Sequence, residues 1–497
     1  MATAQEWHQH AAGLSFRNQA FIDGRSVNAL SGATFDCISP VDGRLLTRIA
    51  ACDEADVNVA VASARRAFED GRWSDLAPAR RKRVLLAVAE RIEAAAEELA
   101  LLETLDMGKP IGDSVAVDVP ATVRCLRWYA EAIDKVYGEV APTDPGALAT
   151  ITREPLGVVA AVVPWNFPLI MAMWKLAPAL AVGNSVILKP AEQSTLTALR
   201  LAELFIEGGL PEGVLNVVPG LGHQAGRALA RHMDVDAIAF TGSTEVGKEI
   251  MKEAALSNLK RVGLELGGKS PHIVLADCPD LDLAAATAAS AIFFNQGEMC
   301  TAGSRLIVER SIADAVIEKV VGHAKARRVG DPLDPQTDLG ALVDDRQMER
   351  VLGYVANGQE QGASLLTGGA RLRQETGGYY VAPTVFAGVT PEMRIAREEI
   401  FGPVLACLVV DDAEHAVAVA NDTVYGLAAA VWTASIDRAL TVSRRLRAGM
   451  VYVNCYDADD ITVPFGGYKQ SGFGRDKSLH ALEKYSELKT TWIQVRR

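Results

Sequence analysis

Apolar residues follow two different spacings along most of the chain, and these spacings predict its elements. Residues 54–68 and residues 78–106 place apolar side chains three and four positions apart, which predicts a helix in each segment. From residue 157 onward, continuous apolar runs such as GVVAAVVPW and SVILKP alternate with longer amphipathic runs such as STLTALRLAELFIEG. Short Val-, Ile- and Leu-rich strands alternating with helices are typical of a parallel sheet covered by helices on both faces. The predicted fold class is therefore α/β.

A second region with the same alternation begins near PHIVLADC and continues to about residue 466, so we expect a second α/β domain. Residues 134–153 and 487–495 have an extended pattern outside both regions. Exposed strand edges of this kind often pair with another subunit. These two segments are candidates for subunit contacts.

Composition narrows the function classes. The chain has 497 residues and a net charge of −12, which favours two or three domains and disfavours a nucleic-acid partner. No apolar stretch is long enough to span a bilayer, and the N-terminus lacks a secretory signal. The seven cysteines show no C-x-x-C pair and the eight histidines no clustered ligand spacing. We expect a cytoplasmic protein with free thiols and without a metal or membrane partner.

The segment NQGEMCTAGSR, residues 295–305, contains the first candidate for chemistry. Cys300 follows a predicted helix and stands among small residues that would let a substrate approach. A thiolate at such a position is a strong nucleophile toward a carbonyl group. The alternative is a small buried apolar side chain, which is the interpretation that the other six cysteines receive.

Two further segments place polar side chains at predicted strand ends. Glu265 in VGLELGGKSP lies in an apolar strand, where burial would raise its pKa and suit it to act as a general base. The alternative is an ion pair with Lys269 or Lys175. Asn166 in VVPWNFPL could donate a hydrogen bond to a developing oxyanion, or could be an ordinary helix N-cap.

Two strand ends also suit a dinucleotide. ILKPAEQ places Lys189 and Glu192 where open α/β sheets bind ligands, and an acid there favours NAD because it would repel the extra phosphate of NADP. FTGSTEVG places Gly242 and Ser243 at a strand-to-helix turn, whose N–H groups can bind a pyrophosphate. The alternative for this second turn is a simple helix cap.

Together these segments resemble the aldehyde dehydrogenase superfamily over almost the whole chain. FFNQGEMCTAGSR, LELGGKSP, PWNFP, KPAEQ, FTGST, EEIFGPV and PFGGYKQSG match its motifs in order and spacing. The resemblance implies that Cys300 is the nucleophile, Glu265 the base and Asn166 the oxyanion donor, with Lys175 assisting proton transfer. The residues that it implies for NAD are Lys189, Glu192, Gly242, Ser243, Glu399, Phe401 and Trp165, with Glu399 and Phe401 positioning the nicotinamide ribose.

The resemblance also implies the domain organisation. Members of the superfamily have a Rossmann-like cofactor domain, a catalytic domain and a small β oligomerisation arm, and are usually dimers or tetramers. We expect residues 1–133 and 154–265 to form the NAD-binding domain, 266–466 the catalytic domain, and 134–153 with 483–497 the arm.

The substrate prediction depends on YDADDITVPFGG, residues 456–467, where three aspartates crowd one loop. The chain around this loop, and CLRWYAEAIDKVYGEV, most resemble bacterial γ-glutamyl-γ-aminobutyraldehyde dehydrogenases and relatives that use γ-aminobutyraldehyde or γ-guanidinobutyraldehyde. We therefore expect an ω-amino or guanidino aldehyde, bound by Asp459 first and Asp457 second. Trp174, Phe167 and Phe465 are expected to line the substrate tunnel.

Three alternatives remain open. The acidic loop could be merely solvated in an enzyme of broad specificity for aliphatic aldehydes. A CoA-acylating enzyme would generally lack the base that Glu265 supplies. A catalytically silent binding protein on the same fold would be expected to lose the thiol or the base.

Overall fold

The computed structural model describes residues 2–495. The last two residues of the predicted arm, 496 and 497, lie outside the described residues. Two large sheets and one small sheet organise the chain.

The first sheet has eight strands, and its five central strands run parallel. Its apolar strand cores are buried on both faces, as the continuous Val- and Ala-rich runs predicted. In spatial order the strands are Arg25–Val27, Ala20–Ile22, Leu215–Val217, Ser185–Lys189, Val158–Val162, Ala237–Thr241, Arg261–Glu265 and Gly472–Phe473. The α-helices of this part of the chain are Ala4–Ala12, Glu54–Glu69, Pro78–Ala94, Ala96–Met107, Ile111–Asp113, Val119–Ala132, Pro168–Val182, Leu196–Glu207, Arg227–Arg231 and Thr244–Ala255.

The second sheet has seven strands, parallel except for the antiparallel pair at one edge. In order they are Ser364–Thr367, Thr384–Ala387, Val404–Val410, Arg305–Glu309, Pro271–Val274, Ala428–Trp432 and Met450–Val453. The α-helices of this region are Leu281–Phe293, Ala313–Ala326, Asp345–Glu360, Arg394–Arg397, Ala413–Asn421 and Ile436–Arg445.

The small sheet joins the two extended segments that the sequence pattern singled out. Strand Ala147–Pro155 lies between Glu139–Ala141 and Ser486–Gln494, and both pairings are antiparallel. Eight of the nine residues of Ser486–Gln494 are exposed, including Leu488, Trp492 and Ile493. Two short hairpins, Thr34–Ile38 with Leu45–Ala50 and Arg371–Leu372 with Tyr380–Val381, complete the strands.

One helix prediction needs correction, and one further helix begins irregularly. The predicted helix over 78–106 is two helices, because the backbone leaves the helical region at Ala95. All residues from Leu99 to Met107 are buried, so tertiary packing rather than a local breaker sets the direction of the second helix. The segment GHQAGRALARH begins as the π-helical turn Gly222–Gly226 before the α-helix Arg227–Arg231. No helix among residues 2–495 combines the length and the apolarity needed to cross a membrane.

Candidate active site

Several candidate side chains meet because their strands end at one edge of the first sheet. Val162 pairs with Lys189, and Thr241 pairs with Glu265, each as the last residue of a parallel strand. Segments that continue from the carboxyl ends of parallel strands emerge on the same side of the sheet. This edge borders a cavity of about 850 Å³.

The Cys300 loop is held in an unusual backbone conformation. Asn295, Gln296 and Gly297 have φ angles of 47°, 57° and 75°, which turns the chain sharply after helix Leu281–Phe293. The side chain of Glu298 is fully buried and accepts a hydrogen bond from the Val343 N–H at 3.1 Å. These features present Cys300 to the cavity.

Cys300 differs from the other cysteines in its surroundings. Among the residues described, it is the one cysteine that lines the cavity. Burial raises the pKa of its thiol, and the nearby acids Glu399, Asp457 and Glu265 raise it further. The thiol is therefore protonated at rest, and its proton must leave when the sulfur attacks.

Asn166 points toward the Cys300 loop rather than capping a helix. Its Nδ2 donates to the Glu298 carbonyl at 2.8 Å, and the Asn295 Nδ2 donates to the Asn166 carbonyl at 3.1 Å. Helix Pro168–Val182 begins after Phe167 without a side-chain cap. The N-cap alternative for Asn166 is therefore wrong, and its amide lines the cavity.

Glu265 is buried without a partner. Within residues 2–495, neither of its carboxylate oxygens has a hydrogen-bond partner. Burial and the nearby Asp476 raise its pKa, against the opposing effect of Lys175. The predicted alternative, an ion pair with Lys175 or Lys269, is not what the structure shows.

Lys175, like Glu265, is buried and does not line the cavity. Its ammonium group forms a buried ion pair with Asp476, which also pairs with Lys484. The positive charge of Lys175 lowers the pKa of Glu265 from within this buried cluster. Asp476 and Lys484 belong to the catalytic surroundings, but no local pattern in the sequence separates them from surface charges.

Part of the cavity is lined by residues predicted for the cofactor, namely Trp165, Gly242, Ser243, Glu399 and Phe401. The Ser243 Oγ accepts from the Val246 N–H at 3.3 Å, so it also caps helix Thr244–Ala255, and the cap alternative is correct as well. Glu399 accepts from the Gly268 N–H at 2.9 Å, and burial raises its pKa to about 7. The ring of Phe401 packs edge-on against Trp165 with 5.2 Å between centroids.

Lys189 and Glu192 lie outside the cavity lining. The Lys189 Nζ donates to the Pro190 carbonyl at 2.9 Å and lies 3.4 Å from a Glu192 carboxylate oxygen. Glu192 also accepts from the Gly222 N–H at 2.6 Å. The Lys189–Glu192 pair therefore lies beside the turn Gly222–Gly226 and not in the part of the site that contains Cys300.

The substrate end of the cavity has aromatic walls. Trp174 and Phe465 pack with 4.9 Å between ring centroids, and Phe167 stacks on Phe294 at 6.4 Å. All four rings line the cavity. The predicted tunnel residues Trp174, Phe167 and Phe465 are thus brought together.

The acidic loop carries less free negative charge than its sequence suggests. Asp459 lines the cavity but forms an ion pair with Lys477, a side chain that is only 1% exposed. Asp460 is exposed, does not line the cavity, and accepts from the Thr462 N–H at 2.8 Å. Asp457 lines the cavity, and burial raises its pKa to about 6 although its hydrogen bond to Thr301 opposes the shift. Lys477 was not predicted, because nothing in its local sequence connects it with a loop 18 residues away.

Comparison with known proteins identifies the family. The model of the aldehyde dehydrogenase family matches residues 27–491. This chain belongs to the aldehyde dehydrogenase family. The match covers most of the first sheet and all of the second.

Curated and solved relatives agree with this placement. The chain is 54% identical over 489 residues to the NADP/NAD-dependent aldehyde dehydrogenase PuuC of Escherichia coli, covering 98% of each. It is 63% identical to a γ-glutamyl-γ-aminobutyraldehyde dehydrogenase of Burkholderia cenocepacia, with a TM-score of 0.98 and complete coverage of both chains. It is 61% identical to an indole-3-acetaldehyde dehydrogenase solved with NAD+, with a TM-score of 0.99 and complete coverage of both chains. The predicted family, α/β fold class, enzyme class and cofactor are confirmed.

Proposed function

We propose that this aldehyde dehydrogenase oxidises aldehydes with a cationic far end to carboxylic acids, using NAD and a thioester on Cys300. The observation that carries the proposal is one cavity that contains the thiol, the Asn166 amide, the cofactor-side residues and the carboxylates of Asp457 and Asp459. The proposed substrates are γ-guanidinobutyraldehyde, γ-aminobutyraldehyde and γ-glutamyl-γ-aminobutyraldehyde. All three relatives named above are aldehyde dehydrogenases by name, and the γ-glutamyl-γ-aminobutyraldehyde dehydrogenase supports this substrate class, whereas the indole-3-acetaldehyde dehydrogenase is named for a neutral aldehyde.

The first chemical step would belong to Cys300 and Asn166. The Cys300 sulfur adds to the carbonyl carbon while its proton passes to a water molecule in the cavity, and the carbonyl oxygen becomes an oxyanion. One N–H of the Asn166 amide is held by the Glu298 carbonyl, which fixes the amide plane and leaves the other N–H for the oxyanion, beside a backbone N–H of the Cys300 loop. When bound, NAD supplies the hydride acceptor for the same carbon, and a thioester remains on Cys300.

Glu265 would act in the second step. Its unpartnered carboxylate takes a proton from a water molecule, whose oxygen attacks the thioester carbon. The carbon–sulfur bond then breaks, the leaving sulfur takes up the proton from Glu265, and the acid leaves with the Cys300 thiol and the Glu265 carboxylate restored. Lys175, held by Asp476, is proposed to assist this proton transfer through its positive charge, which favours the carboxylate form of Glu265.

On the cofactor side of the site, the hydrogen-bond donors and the shape of the backbone fit NAD. Gly242 and Ser243 precede helix Thr244–Ala255, whose first N–H groups suit a pyrophosphate. A Cβ on Gly267 would lie 2.1 Å from a Glu399 oxygen, so glycine there lets Glu399 reach the site for the nicotinamide ribose, near Phe401 and Trp165. Lys189 and Glu192 are proposed for the adenosine ribose hydroxyls, where the carboxylate favours NAD over NADP.

Assembly and location are also part of the proposal. The exposed apolar side chains of strand Ser486–Gln494 support an oligomerisation arm over 134–153 and 483–497, and a homodimer or homotetramer. The two large sheets support an NAD-binding domain over 1–133 and 154–265 and a catalytic domain over 266–466. Seven free cysteines in the described chain support a reducing cytoplasmic compartment.

The test of the function measures NADH formation by the purified enzyme with NAD and four aldehydes. We expect the three cationic or γ-glutamyl aldehydes to exceed neutral butyraldehyde in kcat/KM by about tenfold or more. Cys300→Ala should remove all turnover, which excludes a background reaction. Equal use of butyraldehyde would reject the substrate class and favour broad specificity. Absence of NADH with every aldehyde would support a silent binding protein, and turnover only with CoA would support an acylating enzyme.

The preference for a cationic substrate should depend on pH through Asp457. Its pKa of about 6 means that the carboxylate is ionised above pH 6 and protonated below it. We expect the ratio of kcat/KM for γ-aminobutyraldehyde to that for butyraldehyde to fall as the pH is lowered through about 6. The ratio cancels the titration of Cys300 and Glu265, which both substrates share. If the wild-type ratio did not change with pH and equalled the ratio for Asp457→Asn, Asp457 would not recognise the charge of the substrate.

A further inference from the structure

The cavity mouth contains a cation whose hydrogen-bonding groups are largely unused. Arg124, on helix Val119–Ala132, lines the cavity with a side chain that is 54% exposed. Its one ionic contact within the described chain is the Asp459 carboxylate at 3.9 Å, too long for a hydrogen bond. A guanidinium group has five N–H donors in a planar fork, a shape that matches a carboxylate.

Arg127, on the same helix, is an arginine whose guanidinium group is already bound by a carboxylate of the chain. Its Nη2 lies 2.6 Å from one Glu93 carboxylate oxygen, and Arg127 does not line the cavity. Arg124 and Arg127 have similar side-chain exposures of 54% and 41%. They differ in whether a carboxylate of the chain already binds the guanidinium group.

The charges at the mouth alternate in sign. Asp459 lies between Lys477 and Arg124, so its negative charge is shared by two cations before any substrate arrives. Asp457 is the other carboxylate of the acidic loop that lines the cavity, and neither lysine nor arginine forms an ion pair with it in the described residues. A purely cationic substrate end would therefore meet Arg124 and Lys477 as well as the two aspartates.

We propose that Arg124 binds a carboxylate on the substrate, so that the cavity selects aldehydes whose far end carries both an ammonium group and a carboxylate. This inference rests on the proposed aldehyde oxidation and narrows its substrate class from cationic to zwitterionic. The ammonium group faces Asp457 and Asp459, and the carboxylate faces the fork of Arg124. Among the proposed substrates, the γ-glutamyl aldehyde carries this pair of charges.

The test compares two aldehydes that differ only in the carboxylate. One is N-(γ-glutamyl)-γ-aminobutyraldehyde, and the other is the same molecule without its carboxyl group, N-(4-aminobutanoyl)-γ-aminobutyraldehyde. We expect the wild-type enzyme to favour the first by about tenfold in kcat/KM, since charge-assisted pairing with arginine is strong but partly solvent-screened here. Arg124→Ala should remove most of that preference by lowering kcat/KM for the first aldehyde, whereas Arg127→Ala should leave both values unchanged.

Three outcomes would overturn the inference. The first is equal use of the two aldehydes by the wild type, in which case their shared advantage over butyraldehyde still tests the proposed function separately. The second is an equal loss for both aldehydes in Arg124→Ala, which would mean that Arg124 acts only by holding Asp459. The third is a preference for the carboxylate that survives in Arg124→Ala. Arg124→Lys supplies a further check, because it keeps the charge but removes the planar fork and should restore only part of the preference.

Discussion

Glu265→Gln is expected to lower steady-state turnover by about 10²- to 10⁴-fold, the range that general acid–base catalysis contributes. Glutamine has nearly the shape of glutamate but cannot accept a proton from water. Formation of the thioester needs Cys300 and Asn166, so one equivalent of NADH should still form in the first turnover. Rapid mixing would show this burst, and mass spectrometry would show the acyl group retained on Cys300.

Glu309→Gln provides the matched control for this substitution. Glu309 ends a central parallel strand of the second sheet, as Glu265 ends one of the first, and it accepts from the Ala276 N–H at 2.9 Å. The glutamine oxygen can still accept that hydrogen bond, so turnover should be unchanged. If Glu265→Gln turned over at the wild-type rate, Glu265 would not be the base. If it lost the burst as well, Glu265 would be needed before the thioester forms.

The sequence alone predicts those site residues that lie at or just after the ends of apolar strands. Glu265, Ser243 and Asn166 each follow or end a short apolar strand, and parallel strands place such residues at one sheet edge. The apolar runs fix these strands because both faces of the sheet are buried. Cys300 is predicted as the nucleophile from the small residues around it and from the resemblance of its motif to the family.

The charges around the site could not be predicted in the same way. Lys477 neutralises Asp459, and Asp476 holds Lys175 across 301 residues of sequence. Such pairs depend on tertiary contacts, for which a single sequence has no periodic signal. The break at Ala95 has the same origin, since neither glycine nor proline marks it. The three aspartates in the sequence therefore indicate a more negative loop than the structure contains.

The position of Cys300 depends on a glycine that allows two backbones to approach closely. A Cβ on Gly268 would lie 2.3 Å from the Cys300 carbonyl oxygen, and its backbone φ is not in the left-handed region. Alanine at this position would thus be tolerated by the local backbone but would push the Cys300 loop away. The same residue donates from its N–H to Glu399, so the shift would also disturb the cofactor side of the cavity.

Gly268→Ala is expected to reduce kcat/KM by about 10²-fold, the effect of a misplacement near 1 Å in a reacting group. Forcing the methyl group into packed backbone should also cost about 1–3 kcal/mol of unfolding free energy. Gly322→Ala is the control, because Gly322 is exposed in helix Ala313–Ala326 and a Cβ there meets nothing within 4 Å. That control should keep its activity and gain about 0.5–1 kcal/mol, since alanine is a better helix former. Kinetics measured well below the unfolding temperature separate the two effects. Wild-type kcat/KM in a destabilised Gly268→Ala enzyme would mean that the Cys300 loop adjusts without displacing the sulfur.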